Sequence, residues 1–279
     1  MTNVNRASYS GADSMPLDGE TLEDLVAFVT GGTRGIGLGI VEHLLKKGAS
    51  VCLTSRSPSG DEVVEDLCAR FGSGRAFHLV GDVSSRGDVA ACVDECVARF
   101  GTLDIVVANA GVDHGAPFLD MTEELWDEVV SVNLTGAFHT IQLAARKMAG
   151  RGGRIVVVAS TNAFFVESNF TAYNASKAGL IGLVRSAAIE LAPDAITVNA
   201  VSPGLVATRM TESLITHQVH GPDYLRHIPV GRFGVPADVA AAVGYLVSPA
   251  ASWITGQQIV VDGGQTIGIL VPAEIVESK

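Results

Sequence analysis

From residue 24 onward, short apolar runs rich in β-branched residues alternate with stretches of helical spacing. The runs cover residues 25–30, 50–54, 75–80, 104–108, 154–159, 196–200 and 258–261. Each is apolar almost throughout rather than at every second position. Both faces of the strands they predict must therefore be covered, as in a parallel sheet. The intervening segments 37–47, 61–71, 86–100, 123–149 and 171–191 repeat their apolar positions every three to four residues, which predicts helices. Strand and helix alternating in this way predict an α/β, doubly wound sheet, with right-handed crossovers placing helices on both faces. No low-complexity linker or solenoid-length repeat divides the pattern, so residues 23–265 form a single domain. Residues 1–22 are polar, lack the apolar stretch of a secretory signal, and are expected to be a flexible leader, with Met15 as an alternative start. Residues 266–279 form a tail, first apolar and then charged. The stretch 205–230 is long and mixed, and carries His217, His220, Tyr224 and His227. Such a segment in a compact domain is expected to act as a lid or binding loop.

Composition narrows the class of partner. The chain has 279 residues, 47% hydrophobic and only 18% charged, enough apolar material for a large core. Lys and Arg total 19 against 30 Asp and Glu, a net charge of −11. That balance argues against nucleic acid, which wants a basic face, and disfavours anionic membranes and acidic carrier proteins. No apolar run reaches the roughly 18 residues needed to span a bilayer. The four cysteines, Cys52, Cys68, Cys92 and Cys96, form no C-x-x-C pair. They read as reduced, buried thiols of a cytoplasmic protein, and no His or Cys cluster accompanies them to bind a metal.

The first predicted strand runs into Gly31-Gly32-Thr33-Arg34-Gly35-Ile36-Gly37, and a helix follows at once. Glycines there permit a tight turn and let backbone N–H groups approach a pyrophosphate, whose charge the helix N-terminus favours. A glycine triplet alone is weak evidence, but after a buried strand and before a helix it points to a dinucleotide. The second strand bears on which one. An NAD site usually ends that strand with Asp or Glu, to bind the adenosine ribose. Here it ends Ser55-Arg56-Ser57, and no carboxylate appears until Asp61. Arg34 and Arg56 together make a guanidinium clamp for a 2′-phosphate, with Ser55 and Ser57 as added hydroxyl donors, so NADP(H) is the expected cofactor.

Tyr173 and Lys177 lie four apart in the helix predicted for 171–191 and share one face. An ammonium beside a phenol favours the phenolate, which predicts a lowered tyrosine pKa and a usable acid/base near neutrality. Ser160 follows the strand at 154–159, at the carboxyl end where α/β folds place ligands. Its hydroxyl can polarise a carbonyl oxygen. Asn133 falls inside the helix predicted for 123–149, where its propensity is poor; a polar residue there is expected to hold a water.

These residues together resemble the short-chain dehydrogenase/reductase family over about residues 24–265. The motifs are Thr30-Gly31-Gly32-Thr33-Arg34-Gly35-Ile36-Gly37, Gly81-Asp82-Val83, Ala108-Asn109-Ala110-Gly111, Val132-Asn133, Ser160, Tyr173 with Lys177, Pro203-Gly204 and Val261-Asp262-Gly263-Gly264. Ala108 departs from the family's frequent N-N-A-G. The resemblance implies a seven-stranded Rossmann sheet of order 3-2-1-4-5-6-7 and a catalytic tetrad of Asn133, Ser160, Tyr173 and Lys177. It also implies cofactor contacts at the glycine loop, Asp82, Val83, Asn109, Ala110, Gly111, Pro203, Gly204, Val206 and Thr208. In the implied reaction Ser160 holds the oxyanion, Tyr173 gives the proton, Lys177 lowers the tyrosine pKa and grips the nicotinamide ribose, and Asn133 orients a water. A homotetramer packed through the helices at 123–149 and 171–191 is implied as well, with the tail at 267–271 expected to cross to a neighbour.

The substrate is left open among three readings. One is a ketone or secondary-alcohol oxidoreductase of small molecules, with Phe164, Phe165, Met210 and Leu214 lining an apolar pocket and His114 near its mouth. The second is a 3-oxoacyl-carrier-protein reductase, for which Lys147, Arg151 and Arg154 would form the docking face. The third is a catalytically silent NADP-binding regulatory or scaffold protein, against which the intact tetrad argues.

Overall fold

A computed structural model describes residues 21–268. Seven parallel strands form one sheet in the order β3-β2-β1-β4-β5-β6-β7, as implied. They are β1 (Val26–Thr30), β2 (Ser50–Ser55), β3 (Ala76–Val80), β4 (Ile105–Ala108), β5 (Gly153–Val158), β6 (Ile196–Pro203) and β7 (Gln258–Val261). Every strand falls on one of the seven apolar runs, and β6 extends three residues past its run.

The covering of both faces is visible residue by residue. Along β4, Val106 and Ala108 enter one core cluster, while Ile105 and Val107 enter the other. In β5, Ile155 and Val157 divide from Val156 and Val158 in the same way. Alternate side chains point to opposite faces, and here both faces are dry. Helices α1 (Gly35–Lys46), α2 (Gly60–Phe71) and α9 (Pro236–Val247) cover one face; α3 (Arg86–Phe100), α5 (Gly136–Met148) and α6 (Thr171–Leu191) cover the other.

Three differences from the sequence pattern follow from tertiary context. The helix expected over 123–149 is two, α4 (Glu123–Val130) and α5, joined by one wide π-helical turn at Ser131–Thr135. Helix α9 is additional: its Ala/Val-rich segment is apolar nearly all round and shows no amphipathic stripe. It packs tightly on α1, because a Cβ at Gly39 would come within 2.7 Å of Pro236 and one at Gly244 within 2.2 Å of His43. The long mixed stretch contains two short helices, α7 (Glu212–Ile215) and α8 (His220–Leu225). Leu22, assigned by its position to the leader, is buried against the α1 side, and its N–H donates to the Lys47 carbonyl at 2.7 Å. The tail beyond residue 268 and most of the leader lie outside the described residues.

The cysteines are reduced, with Cys52, Cys92 and Cys96 buried. A hydrogen bond from Cys96, together with burial, pushes the Cys52 thiol far up, and burial pushes Cys92 up to about 11. These thiols behave as small apolar side chains. Among the described residues no helix is long and apolar enough to cross a membrane.

Candidate active site

The sheet order reverses between β1 and β4, which opens a crevice at the carboxyl ends of the strands. The glycine loop lies in this crevice. Gly31 and Gly35 have φ of 65° and 53°, a region that favours glycine. A Cβ at Gly37 would sit 2.1 Å from the Gly31 carbonyl oxygen, so the loop closes on itself only without a side chain there. Helix α1 starts with no side-chain cap and no acidic residue in its first turn, whereas α3 and α4 are capped by Ser85 and Thr122. Its first N–H groups are therefore left to an outside acceptor, and the helix end favours an anion. The loop thus fits a dinucleotide pyrophosphate, with Thr33, Arg34 and Ile36 along its rim.

Asn109 was expected among the cofactor contacts. The structure gives it a different task. Its side-chain amide donates to the Thr30 and Gly31 carbonyls at 2.9 and 3.1 Å. Its own N–H and that of Ala110 donate to Thr30 Oγ1 at 3.0 and 3.1 Å. Asn109 braces the glycine loop against the end of β4, and Ala108 beside it is buried. Gly111 keeps space open: a Cβ there would come within 3.2 Å of Asn133 Oδ1 and 3.7 Å of Lys177 Nζ.

At the adenosine end, Thr54, Asp82 and Val83 line a small cavity with Phe28 and Thr30. The Asp82 carboxylate is oriented by Ser84, whose N–H and hydroxyl donate to it at 2.8 and 2.7 Å. Arg34 and Arg56 are both exposed. Ser55 departs from its expected role as a donor, since its hydroxyl proton already goes to the Ser57 carbonyl at 2.8 Å. Ser57 Oγ lies 2.9 Å from Ser59 Oγ.

At the other end, β6 stops at Pro203, and the Gly204 N–H donates to Val261. Val206 is buried and pairs with Gly234. The Thr208 N–H donates to Thr211 Oγ1 at 3.1 Å, and Thr208 Cγ2 would touch a Cβ on Gly35 at 3.4 Å. The segment after β6 thus leans onto the glycine loop and closes the crevice.

Asn133, Ser160, Tyr173 and Lys177 converge there. Ser160 and Asn162 form a tight pair, with the Asn162 N–H donating to Ser160 Oγ at 3.1 Å. Ser160 lies close enough to the Tyr173 hydroxyl to hold its pKa down. Lys177 Nζ is 5.4 Å from the centre of the Tyr173 ring and donates to the Val158 carbonyl at 3.0 Å. Burial holds Lys177 down at about 8. Tyr173 moves opposite to the expected direction. Burial pushes it up to about 12, and the carboxylates of Asp113 and Glu167 add to the rise, against the lowering effect of Ser160. Desolvation of the phenolate outweighs the neighbouring ammonium.

Asn133 sits in the π turn, which explains a polar residue in an apparent helix interior. Its Oδ1 accepts from the Val112 N–H at 2.9 Å, and its Nδ2 donates to the Val112 carbonyl and Ser176 Oγ at 2.9 and 3.1 Å. Both amide hydrogens are committed, so the side chain clamps the segment after β4 and leaves no N–H for a water.

Around the mouth, Phe164 and Phe165 are half-exposed and Met210 is exposed. His114 turns outward to Glu128 at 3.2 Å. Two acids that sequence reasoning passed over, Asp113 and Glu167, lie close enough to Tyr173 to act on it, and burial raises both their pKa values. Their only signal in the sequence is a single carboxylate in an otherwise weakly charged loop. Loops 112–117 and 167–170 are joined by the Ala116 N–H donating to the Asn169 carbonyl at 2.8 Å.

A family model described as enoyl-(acyl carrier protein) reductase matches residues 31–266. A 3-oxoacyl-(acyl-carrier-protein) reductase from Vibrio cholerae is 38% identical over 244 residues, covering 87% of this chain and 98% of its own. An NAD-dependent glycerol dehydrogenase from Listeria innocua is 38% identical over 247 residues, covering 88% and 95%. The crystal structure of a short-chain type dehydrogenase/reductase from Mycobacterium marinum superposes with a TM-score of 0.85 at 35% identity, covering 90% of this chain and 99% of that one.

Proposed function

The chain belongs to the short-chain dehydrogenase/reductase family, and from that premise we propose that it reduces a ketone on a small organic substrate with NADPH, or oxidises the matching secondary alcohol with NADP. The placing of Lys177 Nζ 5.4 Å from the Tyr173 ring, with Ser160 beside the phenol, carries this reading. The bound nicotinamide supplies or accepts the hydride. Ser160 positions the carbonyl oxygen. Tyr173 donates the proton from its hydroxyl to that oxygen as the alcohol forms, and takes it back in oxidation. The resulting phenolate faces the Lys177 ammonium. At neutral pH both groups hold their protons, as reduction requires. Asn133 fixes the segment that frames Lys177.

Arg34 and Arg56 support NADP(H) over NAD(H), since both are free at the surface and no acid ends β2. Proton transfer at Tyr173 is tested by Tyr173→Phe, which abolishes turnover while leaving NADPH binding within about threefold by fluorescence titration. Full activity in that variant overturns the assignment.

A 3-oxoacyl-carrier-protein reductase is the second reading, favoured by the relatives that carry that activity in their names. Its expected docking residues are engaged elsewhere. Lys147 is paired to Asp94 at 2.6 Å, Arg151 to Asp104 at 3.5 Å, and Arg154 is half-buried at the foot of β5. In an acidic chain this supports the small-molecule reading. NADPH oxidation with ketones, sugars and acetoacetyl thioesters separates the two. Saturable activity confined to carrier-protein thioesters would decide for the second. A cytoplasmic homotetramer completes the proposal, supported by reduced cysteines and by the exposed Trp126, Phe138 and Ile189 on α4, α5 and α6.

A further inference from the structure

We propose that the buried ring of His78, together with Asp61 and Ser55, forms a positioning relay that sets the turn carrying Arg56, and so sets the discrimination for a 2′-phosphate; the proposal rests on the NADP(H) reading. His78 lies in the middle of β3, and its side chain is only 1% exposed. Its Nδ1 is 3.0 Å from Asp61 Oδ1 at the start of α2, and its Nε2 is 3.0 Å from Ser55 Oγ at the end of β2. Gly60 makes the fit possible, because a Cβ there would overlap the imidazole at 2.4 Å. Three elements thus meet on one ring, directly under the turn that holds Arg56.

The hydrogens can be placed by counting donors. A serine hydroxyl has one proton. That of Ser55 goes to the Ser57 carbonyl at 2.8 Å. Nε2 meets the same Ser55 Oγ at 3.0 Å from the other side. A carboxylate offers only acceptors, so Nδ1 must donate to Asp61. Both ring nitrogens are thus engaged, one with each neighbouring element. Two consequences follow for the cofactor. The carboxylate of Asp61 is tied to the His78 ring and held in one position beside the turn. Ser55, locked as a donor to Ser57, fixes the backbone on both sides of Arg56 and presents that guanidinium in one direction. A fixed guanidinium gives more discrimination for phosphate than a mobile one.

Steady-state kinetics with NADPH and NADH on the full chain test this, using wild type, His78→Phe and Asp61→Asn. His78→Phe keeps a ring and removes both hydrogen bonds. The expected result is an NADPH-over-NADH ratio in kcat/KM lowered about tenfold, carried by the KM for NADPH. Asp61→Asn removes a negative charge near the phosphate, so a plain charge effect would raise the ratio. The relay predicts the reverse, since His78 loses its anchoring carboxylate and Ser55 is released. An equal loss with both cofactors, no change, or a ratio raised by Asp61→Asn overturns the proposal. Nitrogen-15 spectra of histidine-labelled wild type give an independent reading that does not depend on the variants folding. A hydrogen on Nδ1, bonded to Asp61, is expected, and a ring carrying hydrogen on Nε2 alone overturns the relay. Wild type preferring NADH would instead overturn the cofactor reading, while the spectra still decide the relay.

Discussion

At the scale of single residues, Tyr173 and Lys177 carry the proposed proton transfer, and their surroundings decide their protonation. Spacing alone brings the two to one helix face. The sign of the tyrosine shift depends on burial and on Asp113 and Glu167, which arrive from two other loops, so no local pattern contains it. Lys177 leads to a stability prediction. Its pKa in the folded chain is about 8, against 10.5 for an ordinary lysine. Between those values the unfolded chain binds more protons, so stability rises with pH across that window. Below about 8 the buried ammonium costs on the order of 3 kcal/mol. Tyr173 has the opposite sign: its contribution is complete below its ordinary value of 10 and is lost towards about 12. Urea unfolding of the cofactor-free protein should therefore show wild type gaining on Lys177→Met between pH 8 and 10. A difference independent of pH would contradict the buried, shifted lysine.

At the scale of elements, the glycine loop was legible because its reason is local. A strand that must turn at once into a helix, with Gly37 against the Gly31 carbonyl, leaves its mark as glycines at fixed spacing. The π turn left only a faint mark. Asn133 looked misplaced in a helix, but its partners, Val112 and Ser176, come from different parts of the chain. For that reason its clamping of the segment after β4 was not legible in the sequence. Asn133→Ala removes three hydrogen bonds and leaves the buried Val112 backbone and Ser176 short of partners. The expected loss is about 2 kcal/mol of stability, with faster amide exchange at residues 110–113. Protection unchanged in that segment would show that the clamp is dispensable. Helix α9 escaped notice because its exposed positions, Ala237, Ala241 and Tyr245, are nearly as apolar as its buried ones, which erases the amphipathic period.

At the scale of the whole molecule, the sheet order places the glycine loop, the end of β5 and the start of α6 at one crevice, and this makes a site from residues more than a hundred positions apart. The surface facing away from the crevice carries Ile189 on α6, 77% exposed. In the proposed tetramer that residue is covered, so Ile189→Asp should shift the mass seen by light scattering from four chains towards fewer, with the fold retained by circular dichroism. A wild-type monomer would remove the tetramer from the proposal.

The chain's own pattern determined the strands, most helices, the glycine loop and the candidates for proton transfer, because each rests on periodicity or on spacing within a few residues. Tertiary structure alone decided three other matters. Asn109 and Asn133 became braces because their amides meet backbone from distant segments. Ser55 lost its role as a free donor because its proton is held within its own turn and its oxygen faces His78 across the sheet. Tyr173 moved up because desolvation sums over everything packed around it, a quantity that exists only once the chain has closed.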